Sequence, residues 1–294
     1  MTKWQRERGL DFGQYGIHSV HMAESTSSFA PHLSSTVVSV DFVRHRNVML
    51  VQADLSPLFV DYYLHMADNG LKYSPQYESL LKRGLIAFTL HCASRPRNEH
   101  LAWTISLQQP RLNLFYAGDN EDCQVIGRLF TDNVREAEKN VFYSEVVPKR
   151  GAEKRRSVVN FAGAEIFHAA ETFYAESEQR LVRYFDLGED KYALLISHPD
   201  CDEPWLKQIT SAGVGDLAKQ ETLTRIESRT YHWFCGCSQQ KILGALAPMA
   251  RADIQDLFGE SEMIHVQCPR CAAKHRLTRE TMEAYLAQTG QPEK

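Results

Sequence analysis

The chain has 294 residues, 43% hydrophobic and 24% charged, with a formal net charge of −4. It is long enough to bury a sizeable core, most simply as one large and one small domain. The acidic balance argues against a dominant nucleic-acid surface, and no run of ~18 apolar residues exists to cross a membrane. No apolar segment backs the polar N-terminus, so a secretory leader is not expected. Of the seven cysteines, Cys92, Cys123 and Cys201 stand singly, which fits a reducing cytoplasm.

Residues 1 to about 34 show no periodicity and are partly serine-rich. Strand character begins at Thr36, where Thr36–Arg44 and Asn47–Gln52 are apolar and β-branched. Ser56-Pro57 and Ser74-Pro75 each place a capping side chain before a proline at the first helical position. The first helix is expected to end at Asn69-Gly70. The second is apolar almost all round, through Leu80, Leu81, Ile86, Phe88 and Leu90, and is expected to be central.

Three strands are predicted over 100–107, 111–117 and 123–130, with a turn at Gly118-Asp119-Asn120. Residues 132–140 read as a short surface helix. Strands over 141–147 and 157–161 flank a basic loop, Lys149–Arg156, which is better read as a solvated hairpin tip than as an anion site. A helix over 163–178 and two further strands complete an α+β domain with a mostly antiparallel sheet and packed helices.

Beyond His198-Pro199 the composition turns polar, and 201–231 read as a linker holding a marginal helix at 216–228. Four cysteines follow in two close pairs: Cys235 and Cys237 as C-x-C, then Cys268 and Cys271 as C-x-x-C. Four thiolates so spaced suit one tetrahedral zinc ion, with Zn–S of about 2.3 Å. A metal-free reduced set and a disulfide framework are the competing readings. Two short helices, Gln239–Met249 and Ala252–Phe258, lie between the pairs, the second stopped by Gly259; a strand over 263–267 leads into Cys268, and Thr278 caps a last helix. In so small a segment zinc is expected to contribute much of the folding free energy. The division expected is a 1–40 extension, a 41–200 core domain, a 201–231 linker and a 232–294 zinc-binding domain.

At this point Phe234-Cys-Gly-Cys-Ser, Ile242-Leu-Gly-Ala-Leu, Asp256-Leu-Phe-Gly and Cys268-Pro-Arg-Cys, behind an α+β domain, resemble the redox-regulated 33-kilodalton heat-shock chaperones of bacteria. Leu114–Asn120, Gly127-Arg128 and Tyr174–Gln179 resemble the family more loosely. Residues 1–40 and a short Pro199–Cys235 stretch depart from the family pattern. The resemblance implies an ATP-independent holdase, not an enzyme, with one zinc per chain on Cys235, Cys237, Cys268 and Cys271 in the reduced form. It implies oxidation to Cys235–Cys237 and Cys268–Cys271 disulfides, loss of zinc and unfolding of the C-terminal region. Its implied partners are unfolding client proteins, thioredoxin- or glutaredoxin-type reductants and a second copy in an active homodimer, in the cytoplasm.

Two readings of other classes compete. One is a nucleic-acid or ribosome-binding module using Arg270, Lys274, Arg276 and Arg279 on a purely structural zinc segment. The other is a thiol–disulfide oxidoreductase using Cys268-Pro-Arg-Cys271, although the motif lacks the βαβ setting such enzymes need. His232, His265 and His275 lie near the cysteines in sequence, but four thiolates already complete a tetrahedron.

Overall fold

A computed structural model describes residues 34–134, 136, 138–149 and 153–289. The chain divides into two compact units, one running to Tyr62 and from Tyr73 to Trp233, the other formed by Tyr63–Lys72 and the chain from Phe234 onward.

The first unit is built on ten strands: β1 (Thr36–Val43), β2 (Val48–Asp54), β3 (Glu99–Leu107), β4 (Leu112–Asp119), β5 (Gln124–Phe130), β6 (Asn140–Pro148), β7 (Arg155–Phe161), β8 (Val182–Gly188), β9 (Lys191–Ser197) and β10 (Leu223–Trp233). Their order across the sheet is β7-β6-β3-β4-β5-β10-β1-β2-β9-β8. The α+β class and the mostly antiparallel sheet are as the sequence indicated. Two antiparallel five-stranded halves meet where β10 runs parallel to β5, with His232 and Trp233 opposite Gln124 and Val125. Strict alternation fixes which face is buried: in β3, Glu99, Leu101, Trp103, Ile105 and Leu107 all point inward.

Helices α1 (Ser56–Asp68), α2 (Pro75–Ala93) and α3 (Ile166–Glu176) form where expected. Ser56 is not the expected cap of α1: it is the first residue of the helix, and its hydroxyl donates to the Asp54 carboxylate at 2.5 Å. The Ser74 side chain accepts from the Tyr77 backbone N–H, and Pro75 occupies the first turn of α2. From Leu85 to Ala93 every residue of α2 is buried. Its His91 lies in an aromatic cluster with Trp103, Phe173 and Tyr174, and shares a 2.6 Å hydrogen bond with the Tyr174 hydroxyl. Burial holds that imidazole well below its usual pKa, so it is neutral.

Close approach explains one glycine of α2. A Cβ on Gly84 would stand 2.0 Å from the Tyr116 hydroxyl, which donates to the Leu81 carbonyl at 3.1 Å. Gly84→Ala is therefore expected to displace Tyr116 and destabilise the unit by about 3 kcal/mol, the upper part of the overpacking range. Urea unfolding checks it; an unchanged midpoint would mean that the helix and β4 yield without cost.

The structure departs from the expected linker. Residues 201–233 form three short helices, α4 (Glu203–Gln208), α5 (Ser211–Gly215) and α6 (Leu217–Gln220), and then β10 in the middle of the sheet. Leu206, Val214 and Leu217 join Val43, Leu50, Phe185 and Leu195 in a buried cluster. The polar composition misled because these helices cover the sheet with single apolar residues, and β10 buries only Arg229, Tyr231 and Trp233. The helix read at 216–228 is a strand from Leu223 for the same reason. Residues 1–33 of the expected extension lie outside the described residues, and 36–40 are part of β1. Among the described residues of 132–140 there is no helix.

The second unit contains α7 (Gln239–Ala252), α8 (Ile254–Phe258), the hairpin β11 (Met263–Gln267) with β12 (Lys274–Thr278), and α9 (Arg279–Thr289). Ser238 caps α7 by accepting from the Lys241 N–H, and Asp253 caps α8 by accepting from Gln255. Ile242, Leu243, Ala250, Phe258, Leu277 and Met282 make its small core.

Candidate metal centre

Two tight backbone turns present the four cysteines. Between Cys235 and Cys237, Gly236 sits at φ +64°, a conformation that costs a residue with a side chain but not glycine. The Lys241 ammonium donates to the Gly236 carbonyl at 2.7 Å and holds this turn against the start of α7. The other pair lies on the turn joining β11 to β12. There the Cys268 N–H donates to the Ala273 carbonyl, and Ala272, at φ +63°, donates back to the Cys268 carbonyl.

The four sulfurs all lie within 4.8 Å of one another. Cys235 Sγ is 3.7 Å from Cys268 Sγ, and Cys237 Sγ is 3.7 Å from Cys271 Sγ. A tetrahedron of thiolates about 2.3 Å from a central zinc has edges near ~3.8 Å, whereas a disulfide bond is about 2.05 Å. The sulfurs are therefore too far apart for disulfide bonds and are spaced as a zinc shell would space them. Cys268 and Cys271 are buried, and Cys235 and Cys237 half-buried.

Charge gives a second test of fit. Thiols this close share their protons. Hydrogen bonds within the cluster, led by that from Cys235, pull Cys268 well down. Cys237 and Cys271 are pushed well up by the same crowding, in which Cys235 is again the largest influence. Four anions cannot coexist here without a counter-charge, and a soft divalent cation supplies one that sulfur prefers.

Further polar groups surround the cluster. His275, in β12, has its Nε2 3.4 Å from Cys237 Sγ. The His65 Nε2–H donates to the Cys271 carbonyl at 2.7 Å, and the Asn69 side chain accepts from the Lys274 N–H at 2.8 Å. The position of His275 was readable in principle. Alternation through Lys274–Thr278 puts it on the same face as buried Leu277, although the segment is otherwise polar. No local sequence signal could reveal His65, 206 residues from Cys271. Elsewhere, His265 is exposed on β11, and His232 meets the Ser34 carbonyl within the first unit.

The remaining candidates have bland settings. Burial pushes the thiols of Cys92, Cys123 and Cys201 up, away from the reactive thiolate form. In the basic loop, Lys149 pairs with Asp119 and Glu121, Arg155 with Glu99, and Lys154 and Arg156 with Glu145, as a hairpin tip would. Of the cations considered for nucleic acid, Arg279 is turned onto the Phe258 ring and the Gly259 carbonyl, and Arg276 onto Met263.

Comparison with known proteins places this arrangement. A family model described as Hsp33 protein matches residues 199–278, the segment holding β10 and all four cysteines. The relatives described next are likewise 33 kDa chaperonins or an Hsp33 homologue. A 33 kDa chaperonin of Nitrosococcus oceani is 22% identical over 158 residues, 47% of this chain and 55% of that protein. One from Aliivibrio fischeri is 22% identical over 236 residues, 69% of this chain and 81% of its own. The chain thus spans about half the length of the first relative. The crystal structure of a Thermotoga maritima Hsp33 homologue superposes with a TM-score of 0.64 at 14% identity, over 88% of this chain and 99% of that one. That likeness is one of fold. The Hsp33 match also runs through residues 201–233, the segment expected to be a linker. Among the described residues no helix is long and apolar enough to cross a membrane.

Proposed function

We propose that the chain is a redox-controlled holdase chaperone, an ATP-independent binder of unfolding proteins. The observation that carries the reading is the mutual approach of the four thiols of Cys235, Cys237, Cys268 and Cys271 in a unit with so small a core. The Hsp33 likeness supports a chaperone role. Bound to these four sulfurs, zinc would supply the positive charge that keeps them ionised and cross-link the two turns.

The residues do the rest. As thiolates, the cysteines react with peroxide without first losing a proton. One sulfur takes up oxygen as a sulfenic acid, and the neighbouring cysteine displaces it to close a disulfide. The disulfides proposed are Cys235–Cys237 and Cys268–Cys271. Each removes two donors from the metal shell, and the small core formed by Ile242, Leu243, Phe258 and Leu277 then lacks its cross-link. The apolar residues so released are the proposed client-binding surface. Reduction by a thioredoxin- or glutaredoxin-type protein restores the thiols. We further propose a homodimeric active form and a cytoplasmic setting, where thiols stay reduced until stress.

Light scattering of a thermally unfolding client tests the reading. The oxidised protein is expected to suppress aggregation, most strongly at elevated temperature, and the reduced zinc form to have little effect. Cys268→Ser should protect without oxidant. Equal protection by reduced and oxidised protein would remove the cysteines from control. Absence of protection in every form would leave a zinc-stabilised binding module.

A further inference from the structure

Within the C-x-C pair the two sulfurs are not equivalent. Both are half-buried, but Cys237 Sγ lies 3.4 Å from the Nε2 of His275, whereas the short contact of Cys235 is to another sulfur, that of Cys268 at 3.7 Å. His275 is held in place by the hairpin, opposite Val266 and two residues from buried Leu277. With zinc bound, the Cys237 sulfur would be a thiolate, which only accepts hydrogen bonds, so the 3.4 Å contact would then be an N–H···S bond with the imidazole proton on Nε2. Such a bond draws charge from the sulfur, and a less charge-rich sulfur is a weaker nucleophile.

We propose that His275 is a positioning residue that directs oxidation of this pair onto Cys235 and reserves Cys237 as the resolving thiol. The inference rests on the redox reading above. In the first step the Cys235 sulfur attacks peroxide, the O–O bond breaks, hydroxide leaves, and Cys235 becomes the sulfenic acid. In the second, the Cys237 sulfur attacks that of Cys235, the S–O bond breaks and a second hydroxide leaves; both hydroxides become water by taking up the two protons that the thiols gave up on ionising. Two thiols have then given two electrons to one peroxide, yielding one disulfide and two waters. The spacing suits this division of labour: the attacked sulfur is free of the imidazole, and the reserved one waits one residue away.

The experiment uses the full reduced chain after its zinc content has been measured. Substoichiometric peroxide is added with a sulfenic-acid trap, and each cysteine is quantified by mass spectrometry. In the wild type, trapped Cys235 is expected to exceed trapped Cys237. In His275→Phe the Cys237 share should rise about tenfold, the lower end of what loss of an outer-shell partner does. His275→Gln, whose amide can still donate, should restore the wild-type ratio, which a merely structural role would not predict. Unchanged ratios in a zinc-bearing His275→Phe protein, or a wild type trapped mainly at Cys237, would overturn the role of His275. A reduced wild type without zinc would instead overturn the metal reading. Nitrogen-15 NMR of the unaltered protein gives a test that does not depend on a variant folding: the His275 proton is expected on Nε2, and its presence on Nδ1 alone would also overturn the proposal.

Discussion

Ending the chain after Ser197 is expected to destroy the sheet rather than free an independent domain. The cut removes β10, which pairs with β1 from Thr36↔Tyr231 to Val43↔Leu223 and also reaches β5. From the first unit it removes five buried apolar side chains as well: Leu206, Val214, Leu217, Tyr231 and Trp233. At about 1.5–3 kcal/mol each, their burial contributes roughly 10 kcal/mol. That rivals the whole stability of a domain, about 5–15 kcal/mol. The truncated chain should show weak strand circular dichroism and no cooperative melt, whereas a chain ending after Trp233 should keep both. A cooperative transition in the shorter chain would mean that β1 and β5 can close on each other without β10.

The second large effect is on the C-terminal unit. If the four cysteines hold zinc as proposed, stripping it from the reduced protein with a chelator is expected to unfold β11, β12 and α9 while strands β3 and β4 keep their hydrogen-exchange protection. The magnitude follows from the small core. An apolar cluster of six buried side chains serves a segment of some sixty residues, whereas binding of structural zinc contributes about 10–16 kcal/mol of apparent free energy in comparable small folds. Cys237→Ser should weaken zinc binding and lower the chelator concentration required. Full protection of β12 amides after chelation would show that the unit folds without its cross-link, and the proposed switch would then have nothing to release.

Much of the fold could be read from the chain because its signals are local. Ser74-Pro75 specifies a helix start through one hydrogen bond and one fixed dihedral, and the alternation of β3 specifies a face. Cys235, Cys237, Cys268 and Cys271 were legible as a group because close pairing of thiols has few other uses. Residues 201–233 were not legible, because the reason Tyr231 and Trp233 are inside lies in β1 and β5, remote in sequence. The same holds for the outer part of the site: His65 reaches Cys271 through tertiary structure alone. Local pattern thus locates elements and the cysteine cluster, while strand neighbours and outer polar partners are decided by packing.

The junction between β10 and β5 has a mechanical consequence. Antiparallel pairs elsewhere in the sheet run for six or more residues, as in β3 with β4, but this seam is carried by His232 and Trp233, aided by the His232 N–H bond to the Cys123 carbonyl at 3.0 Å. Those residues are followed at once by Phe234 and Cys235, so tension on the C-x-C turn is borne first by the shortest pairing in the sheet. The molecule has its weakest stitch where the thread leaves the cloth, and a tug there loads one seam while the long ladders on either side stay slack.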